Sequence, residues 1–195
     1  MPDAGRALCA NGCFEEGANV AGVDLSPAMV EQARLRCGEK GRFLVADLAR
    51  PLALAPGSFD GVTCSLALHY LKDWDVALTS FARVLRPGGW AVISLDHPSG
   101  PPLASQQGGY FDQELVSETW TKAGMEVTQH YWRRPLAAAT DAFADAGFVI
   151  ERLAEPQPAA DDIRRFPAEL KEHGRHPCFI VYRLRLTGLA GPPGV

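Results

Sequence analysis

Short apolar runs alternate with helical stretches along the first half of the chain. Four of these runs are almost continuous in apolar residues: 20–24, 42–47, 58–66 and 90–95. Residues 27–34 continue in helical rhythm, and 75–86 places its apolar side chains on one stripe of a helix. Apolar strands separated by helices are typical of a parallel sheet covered on both faces. The pattern therefore predicts an α/β fold with a doubly wound, mostly parallel sheet.

The second half of the chain is less regular. Residues 97–109 collect prolines and glycines, which predicts a loop over the carboxyl edge of the sheet. Residues 178–186 alternate in polarity, as a strand in an edge or antiparallel position does. The other elements expected are a short helix over 113–122, a strand over 125–132, a helix over 136–146, a strand over 148–153 and a long connection over 155–177.

Length and charge narrow the class of protein. A chain of 195 residues is long enough for one well-packed domain and too short for two ordinary ones. The net charge of -4 supplies no basic surface for nucleic acid. No apolar run approaches the roughly 20 residues that span a bilayer, and residues 1–6 lack a secretion signal. We expect a cytoplasmic protein without a nucleic-acid or membrane partner.

Cysteines and histidines do not indicate a metal centre. The five cysteines show no disulfide-framework spacing, and a reducing compartment keeps such thiols free. The tightest cluster is His173, His176 and Cys178, but Cys178 belongs to a predicted strand and no second cluster completes a site. We therefore predict no metal.

Two apolar runs end on an acidic residue. The first ends at Asp24 and passes directly into a helix with Ser26 as N-cap and Pro27 as the first helical residue. The second ends at Asp47. Open α/β sheets bind nucleosides at the carboxyl edge, where such a carboxylate can accept hydrogen bonds from a ribose diol. The alternatives are that Asp24 only caps the helix and that Asp47 only forms a turn.

Four segments in this order resemble the class I S-adenosylmethionine-dependent methyltransferases of the small-molecule, bacterial type. The segments are Gly-Val-Asp-Leu-Ser-Pro-Ala-Met at 22–29, Val-Ala-Asp at 45–47, Phe-Asp-Gly-Val-Thr-Cys-Ser-Leu-Ala-Leu-His-Tyr at 59–70 and Val-Leu-Arg-Pro-Gly-Gly-Trp at 84–90. The resemblance implies a Rossmann-like sheet with an antiparallel C-terminal strand. It also implies S-adenosylmethionine as cofactor and methyl transfer to a small-molecule acceptor.

The resemblance assigns cofactor contacts residue by residue. It implies that Asp24 holds the ribose hydroxyls and that Asp47, with Leu48, meets the adenine edge. It places residues 65–67 under the methionine moiety. The full set of implied cofactor residues is Gly12, Asp24, Leu25, Met29, Asp47, Leu48, Ser65, Leu66 and Ala67. For Met29, packing in the core is an equal alternative.

The first motif departs from the family pattern. Family members carry an acidic residue followed by a glycine series, whereas here Cys9 takes the acidic position and only Gly12 remains, out of phase. Residues 11–18 are also too few for a crossover of a dozen or more residues. We expect the first crossover helix to be shortened or missing and cofactor binding to be weak. The exposed sheet face would then favour a homodimer.

Domain limits and catalytic candidates complete the prediction. We expect one methyltransferase-like domain over 1–187, with 97–135 covering the acceptor as a lid and a disordered tail over 188–195. His69 and His97 follow predicted strands and are the candidate general bases, although each could be purely structural. Two alternatives are a catalytically inactive binding protein and a nicotinamide-dependent dehydrogenase. The dehydrogenase would require Gly-x-Gly-x-x-Gly before Asp24, which the chain lacks.

Overall fold

The computed structural model describes residues 17–100, 109–122, 124–166, 170 and 176–187. The chain divides into two compact units, 1–53 and 54–195. Gly12, the first crossover and the tail over 188–195 lie outside the described residues, and so does part of the expected lid. The single domain over 1–187 and the homodimer stay predictions. None of the helices in the described ranges is both long and apolar enough to cross a membrane.

The first unit contains a parallel strand pair and one helix. Strand β1 (Val20–Asp24) leads into helix α1 (Pro27–Cys37), and a 3-10 turn then precedes strand β2 (Gly41–Val45). The two strands pair in parallel from Val20 opposite Gly41 to Asp24 opposite Val45. The Oγ of Ser26 accepts the backbone N–H of Met29 at 3.4 Å, which confirms the predicted N-cap.

Close packing explains the glycine in the middle of β1. The buried cluster of this unit consists of Val30, Cys37 and Phe43. A Cβ on Gly22 would lie 2.7 Å from the ring of Phe43. The Gly-Val-Asp segment therefore needs glycine because the neighbouring strand places an aromatic ring against the backbone.

The second unit is built around a four-stranded sheet. Its elements in chain order are β3 (Phe59–Ser65), a 3-10 turn (Leu68–Tyr70), α2 (Asp75–Val84), β4 (Leu85–Asp96), β5 (Glu114–Lys122), β6 (Met125–Arg133), α3 (Leu136–Asp145), β7 (Phe148–Ala154), α4 (Ala160–Arg165) and β8 (Phe179–Leu186). The sheet order is β3-β4-β8-β7, and β5 with β6 forms a separate hairpin. Strands β3 and β4 are parallel, whereas β8 is antiparallel to both neighbours.

The alternating strand β8 confirms the predicted antiparallel C-terminal strand, and it lies inside its sheet rather than at an edge. Ile180, Tyr182 and Leu184 are buried on one face. On the other face, Nε of Arg185 donates to Oε1 of Glu151 at 2.8 Å. One apolar and one ionic face account for the alternation in sequence.

The helix predicted over 113–122 is wrong, because this segment is strand β5. It pairs with β6 residue by residue, and polar side chains meet across the hairpin. The two Oγ1 atoms of Thr119 and Thr128 lie 2.9 Å apart, and Ser117 Oγ lies 2.7 Å from His130 Nδ1. These cross-strand pairs and the β-branched residues of the segment favour a strand over a helix.

The second unit has an aromatic core between α2, α3 and β8. The rings of Trp74 and Phe143 stack with centroids 5.8 Å apart, and Phe143 meets Tyr182 edge-on at 5.1 Å. The indole Nε1–H of Trp74 donates to the carbonyl of Leu68 at 2.9 Å. This core therefore also anchors the turn that follows β3.

Gly61→Ala should lower the free energy of unfolding by about 1–3 kcal/mol because of overpacking. The added Cβ would lie 2.2 Å from the ring of Trp90 on the paired strand. Urea unfolding of the variant measures this cost. In a Trp90→Ala background the same substitution should cost much less, and an equal cost in both backgrounds would contradict the steric explanation.

Candidate functional site

Two carboxylates lie at the same edge of the first unit's strand pair. Asp24 is the last residue of β1 and faces Val45 in register, while Asp47 lies just beyond the end of β2. Oδ1 of Asp24 accepts the N–H of Ser26 at 2.9 Å, and Oδ1 of Asp47 accepts the N–H of Ala49 at 2.9 Å. Asp47 therefore forms the local turn of its structural alternative. The N-cap of the helix after Asp24 is Ser26, and Asp24 accepts the N–H of that cap residue.

The apolar candidates of this unit differ in exposure. Leu25 is 67% exposed at the edge of the strands, whereas Met29 and Leu48 are half-buried. An exposed leucine beside a strand-end carboxylate can cover a nucleoside, while Met29 lies in the first turn of α1. The four residues Asp24, Leu25, Asp47 and Leu48 all lie at this one edge.

The second unit contains a strained turn at the end of β3. Leu66 has a φ of 47°, in the left-handed region that leucine rarely adopts. Its N–H donates to the carbonyl of Ser94 at 2.9 Å, and the hydroxyls of Ser65 and Ser94 lie 3.0 Å apart. Such strain persists only where the surroundings hold it, and it is frequent at ligand sites. Ser65, Leu66 and Ala67 thus form a sharp turn at a strand end.

His69 is buried next to a carboxylate. Its Nδ1 lies 3.3 Å from Oδ2 of Asp96, the last residue of β4. Burial, followed by the charge of Glu118, raises the pKa of Asp96 to about 6. The ring of His69 also meets Tyr70 edge-on at 4.5 Å and lies 5.6 Å from the ring of Tyr131. The arrangement can accept a proton at the histidine and balance its charge with Asp96.

The β5–β6 hairpin adds a second polar pair to this cluster. The hydroxyl of Tyr131 donates to Oε2 of Glu118 at 2.6 Å. Burial and the neighbouring carboxylates raise the pKa of Tyr131, first by desolvation and then through Glu118. The phenol therefore stays protonated and can act as a hydrogen-bond donor at neutral pH.

His97 has a different environment. Its Nδ1 accepts the N–H of Ser99 at 3.1 Å, and its Nε2 lies 3.0 Å from Oε1 of Glu155. Its backbone N–H donates to the carbonyl of Cys178 at 2.8 Å. Both ring nitrogens thus have neighbours that hold the loop after β4 in place, which matches the structural alternative.

A cleft in the second unit has His69 and Asp96 in its wall, but not His97. The empty space at the cleft, including the solvent at its open mouth, is about 380 Å³. The wall is mainly aromatic and aliphatic and consists of His69, Trp74, Leu95, Asp96, Pro98, Tyr131, Trp132, Arg133, Arg134, Leu136, Ala139, Ile180 and Tyr182.

No group of three or more metal-ligating side chains occurs in the parts of the chain that the structure describes. Within the same parts, Cys37 and Cys64 are buried and Cys178 is half-buried, and none of the three forms a disulfide. His173, the first member of the cluster considered from the sequence, lies outside them.

Comparison with known proteins supports the resemblance found in the sequence. A model described as a methyltransferase domain matches residues 4–93, slightly less than half of the chain. The crystal structure of an S-adenosylmethionine-dependent methyltransferase from Mesorhizobium loti has a TM-score of 0.70 at 26% identity, over 91% of this chain and 85% of that one. The Rossmann-like fold that the sequence predicts is thereby confirmed.

Curated relatives match slightly less than half of the chain. The ubiquinone biosynthesis O-methyltransferase of Thiobacillus denitrificans is 37% identical over 93 residues, which are 46% of this chain and 40% of that protein. The demethylmenaquinone methyltransferase of Thermus thermophilus is 40% identical over 88 residues, which are 44% of this chain and 39% of that protein. The chain thus spans about two fifths of the length of these relatives.

Sequence reasoning missed part of the cleft in the second unit. Asp96 ends a strand as Asp24 does, so the rule that selected Asp24 would have selected it too. Trp74 and Arg134 carry no comparable signal, because their place in the wall depends on tertiary packing. From the sequence, Arg133 was predicted only to lie within 97–135, the segment expected to cover the acceptor.

The raised pKa of Asp96 makes the stability of this protein depend on pH. Between 3.8 and about 6 the folded state binds more protons at this carboxyl than the unfolded state, so the free energy of unfolding falls as pH rises through that window. Asp96→Asn cannot ionise and should remove this contribution, which is on the order of 1–3 kcal/mol.

Urea unfolding of both proteins from about pH 4 to about pH 7 measures the difference. The variant should gain stability relative to the native protein as pH rises through the window. Asp112→Asn, an exposed carboxylate in the segment before β5, is the matched control and should follow the native protein. A constant difference between Asp96→Asn and the native protein over this range would contradict the prediction.

Proposed function

We propose that this chain transfers a methyl group from S-adenosylmethionine to a small-molecule acceptor. The observation that carries the proposal is the pair of carboxylates, Asp24 and Asp47, at the carboxyl edge of two paired parallel strands within the family-matched segment. In open α/β sheets this edge is where nucleoside cofactors bind. The Mesorhizobium loti relative, named as S-adenosylmethionine-dependent, supports the same cofactor.

The first unit suits the nucleoside end of the cofactor. Oδ1 of Asp24 accepts the N–H of Ser26, and a carboxylate has about four acceptor positions in all. Asp24 can therefore form its turn and still accept ribose hydroxyls. Asp47 is in the same situation, with Ala49 as its local donor. We assign the ribose to Asp24 and the adenine edge to Asp47 and Leu48.

In the second unit, the turn after β3 is assigned to the methionine end. The left-handed backbone at Leu66 bends the chain sharply and directs the backbone of residues 65–67 away from the strand. The strained backbone at Leu66 is the observation that supports this assignment. Ser65, Leu66 and Ala67 would contact the cofactor through backbone and short side-chain groups.

When bound, S-adenosylmethionine would supply an electrophilic methyl group to the acceptor. The protein then has to orient the acceptor, exclude water and remove a proton if the acceptor carries one. We assign the proton to His69, with Asp96 stabilising the imidazolium across their 3.3 Å contact. His97 is assigned a structural role in the loop after β4.

The acceptor is not carried over from the quinone-biosynthesis relatives. The family match ends at residue 93, and most of the cleft wall comes from residues 95–182. The part of the chain that would select the acceptor therefore lies beyond the matched segment. The relatives support the cofactor half of the proposal.

Asp24→Asn should weaken the binding of S-adenosylhomocysteine about tenfold or more, since a hydrogen bond to a charged group contributes about 1.5–3 kcal/mol. Asparagine keeps a carbonyl oxygen for the N–H of Ser26, so the turn is preserved. Calorimetric titration measures the affinity. Glu31→Gln, an exposed side chain on α1, is the matched control and should bind as the native protein does.

Equal affinity of Asp24→Asn and the native protein would contradict the ribose assignment. A folded native protein that binds neither S-adenosylmethionine nor S-adenosylhomocysteine would contradict methyl transfer and favour the inactive binding protein considered from the sequence.

His69→Asn should lower turnover about 100-fold or more, as expected for loss of a general base. The affinity for S-adenosylhomocysteine should stay unchanged. The measurement is the initial rate of S-adenosylhomocysteine formation with the most active acceptor from a panel of phenols. Unchanged turnover, or no phenol methylated by a protein that binds the cofactor, would contradict a base acting on an acidic O–H.

A further inference from the structure

Two consecutive arginines line the cleft of the second unit, and each has an unused donor. The Nε atoms of Arg133 and Arg134 are buried and have no hydrogen-bond partner among the residues that the structure describes. Both side chains belong to the cleft wall. Because a buried N–H without a partner costs free energy, a ligand that accepts these bonds would be favoured.

Arg133 is held firmly in place. It is only 4% exposed, and its terminal nitrogen donates to the carbonyl of Gly109 at 2.5 Å and lies 2.8 Å from Oε1 of Glu114. The charge of Arg133 is thus balanced by Glu114 while its Nε remains available. Arg133 offers a ligand one fixed donor rather than a net charge.

Arg134 has no salt bridge to any residue that the structure describes. Its guanidinium lies over the ring of Trp74 at 4.3 Å from the centroid, and one terminal nitrogen donates to the carbonyl of Lys72 at 2.6 Å. Desolvation lowers the pKa of Arg134, while the more distant, exposed Asp73 and Asp75 act in the opposite direction. A guanidinium that is desolvated but lacks a contacting carboxylate is suited to binding an anion.

The rest of the wall limits the shape of the ligand. Tyr131 and Trp132 present aromatic surface, and the ammonium of Lys72 lies 5.4 Å from the ring centroid of Trp132. Aromatic walls favour a planar ring. His69 and Asp96 lie in the same wall, and we assign the removal of a proton to this pair. A ring that loses a proton to His69 needs an acidic hydroxyl group.

We propose that this cleft binds a planar hydroxyaromatic carboxylate, with the carboxylate on Arg134 and the Nε of Arg133. The inference rests on the proposed function in one respect, that the ligand is the methyl acceptor. The hydroxyl would accept the methyl group: the new oxygen–carbon bond forms as the carbon–sulfur bond of S-adenosylmethionine breaks, and the hydroxyl proton passes to His69. Arg133 and Arg134 would act in binding and orientation.

The test compares two probes that differ in charge, 4-hydroxybenzoate and 4-hydroxybenzamide. Calorimetric titration of the native protein, with and without S-adenosylhomocysteine, should give at least tenfold tighter binding of the benzoate. Arg134→Gln should remove this preference and leave the amide affinity within about threefold. Arg134→Lys, which keeps the charge, should retain part of the preference. Arg86→Gln, an exposed arginine paired with Asp60 outside the cleft wall, should leave both affinities unchanged.

The outcomes separate this inference from the proposed function. Equal affinity for the two probes, no binding of either, or a preference that survives in Arg134→Gln would overturn the carboxylate site. Equal affinity and absence of binding are both measured on the native protein, so these two outcomes do not depend on whether the variants fold. If the benzoate binds preferentially while S-adenosylhomocysteine does not bind, the anion site stands and methyl transfer fails. If S-adenosylhomocysteine binds but the benzoate is not preferred, methyl transfer stands and the carboxylate site is contradicted.

Discussion

The arrangement of the second unit depends on the indole of Trp74. Its N–H holds the carbonyl of Leu68, so the turn that carries His69 is tied to the start of α2. Its ring stacks on Phe143, which in turn contacts Tyr182 of β8. The guanidinium of Arg134 also lies over this ring. One side chain thus joins the core to the cleft, because an aromatic ring buries a large apolar area and keeps a polar N–H for one specific partner.

Strand-end acids have both a structural and a chemical role in this chain. Asp24 and Asp47 use one carboxylate oxygen each to hold a backbone N–H of the turn that follows. For Asp47, the two alternatives weighed from the sequence, turn former and ligand group, are therefore compatible. A carboxylate that is oriented by its own turn is preorganised for a ligand, which reduces the entropy lost on binding.

The elements with clear periodicity could be predicted from the sequence, and those that depend on pairing could not. Strands β1 to β4 and the N-cap at Ser26 follow from local composition and are confirmed. Strand β5 was mistaken for a helix because its stabilising contacts are cross-strand pairs with β6, which leave no local signature. The strain at Leu66 is invisible for the same reason, since the left-handed backbone is held by Ser94 from another strand. At the cleft, His69 was predicted, but Arg134 was not, because its partners are a distant carbonyl and an indole.

The internal position of β8 has a consequence for the order of folding. Strand β4 ends at Asp96, but its antiparallel neighbour begins only at Phe179, and β7 joins the sheet through that same neighbour. While the chain emerges from the ribosome, β4 therefore presents an open apolar edge until β8 has been synthesised. Closing such a long loop is slow, and an open edge is prone to pair with other chains. Nascent chains of this protein would depend on chaperones that shield sheet edges, and crowding during overexpression would direct them toward aggregates.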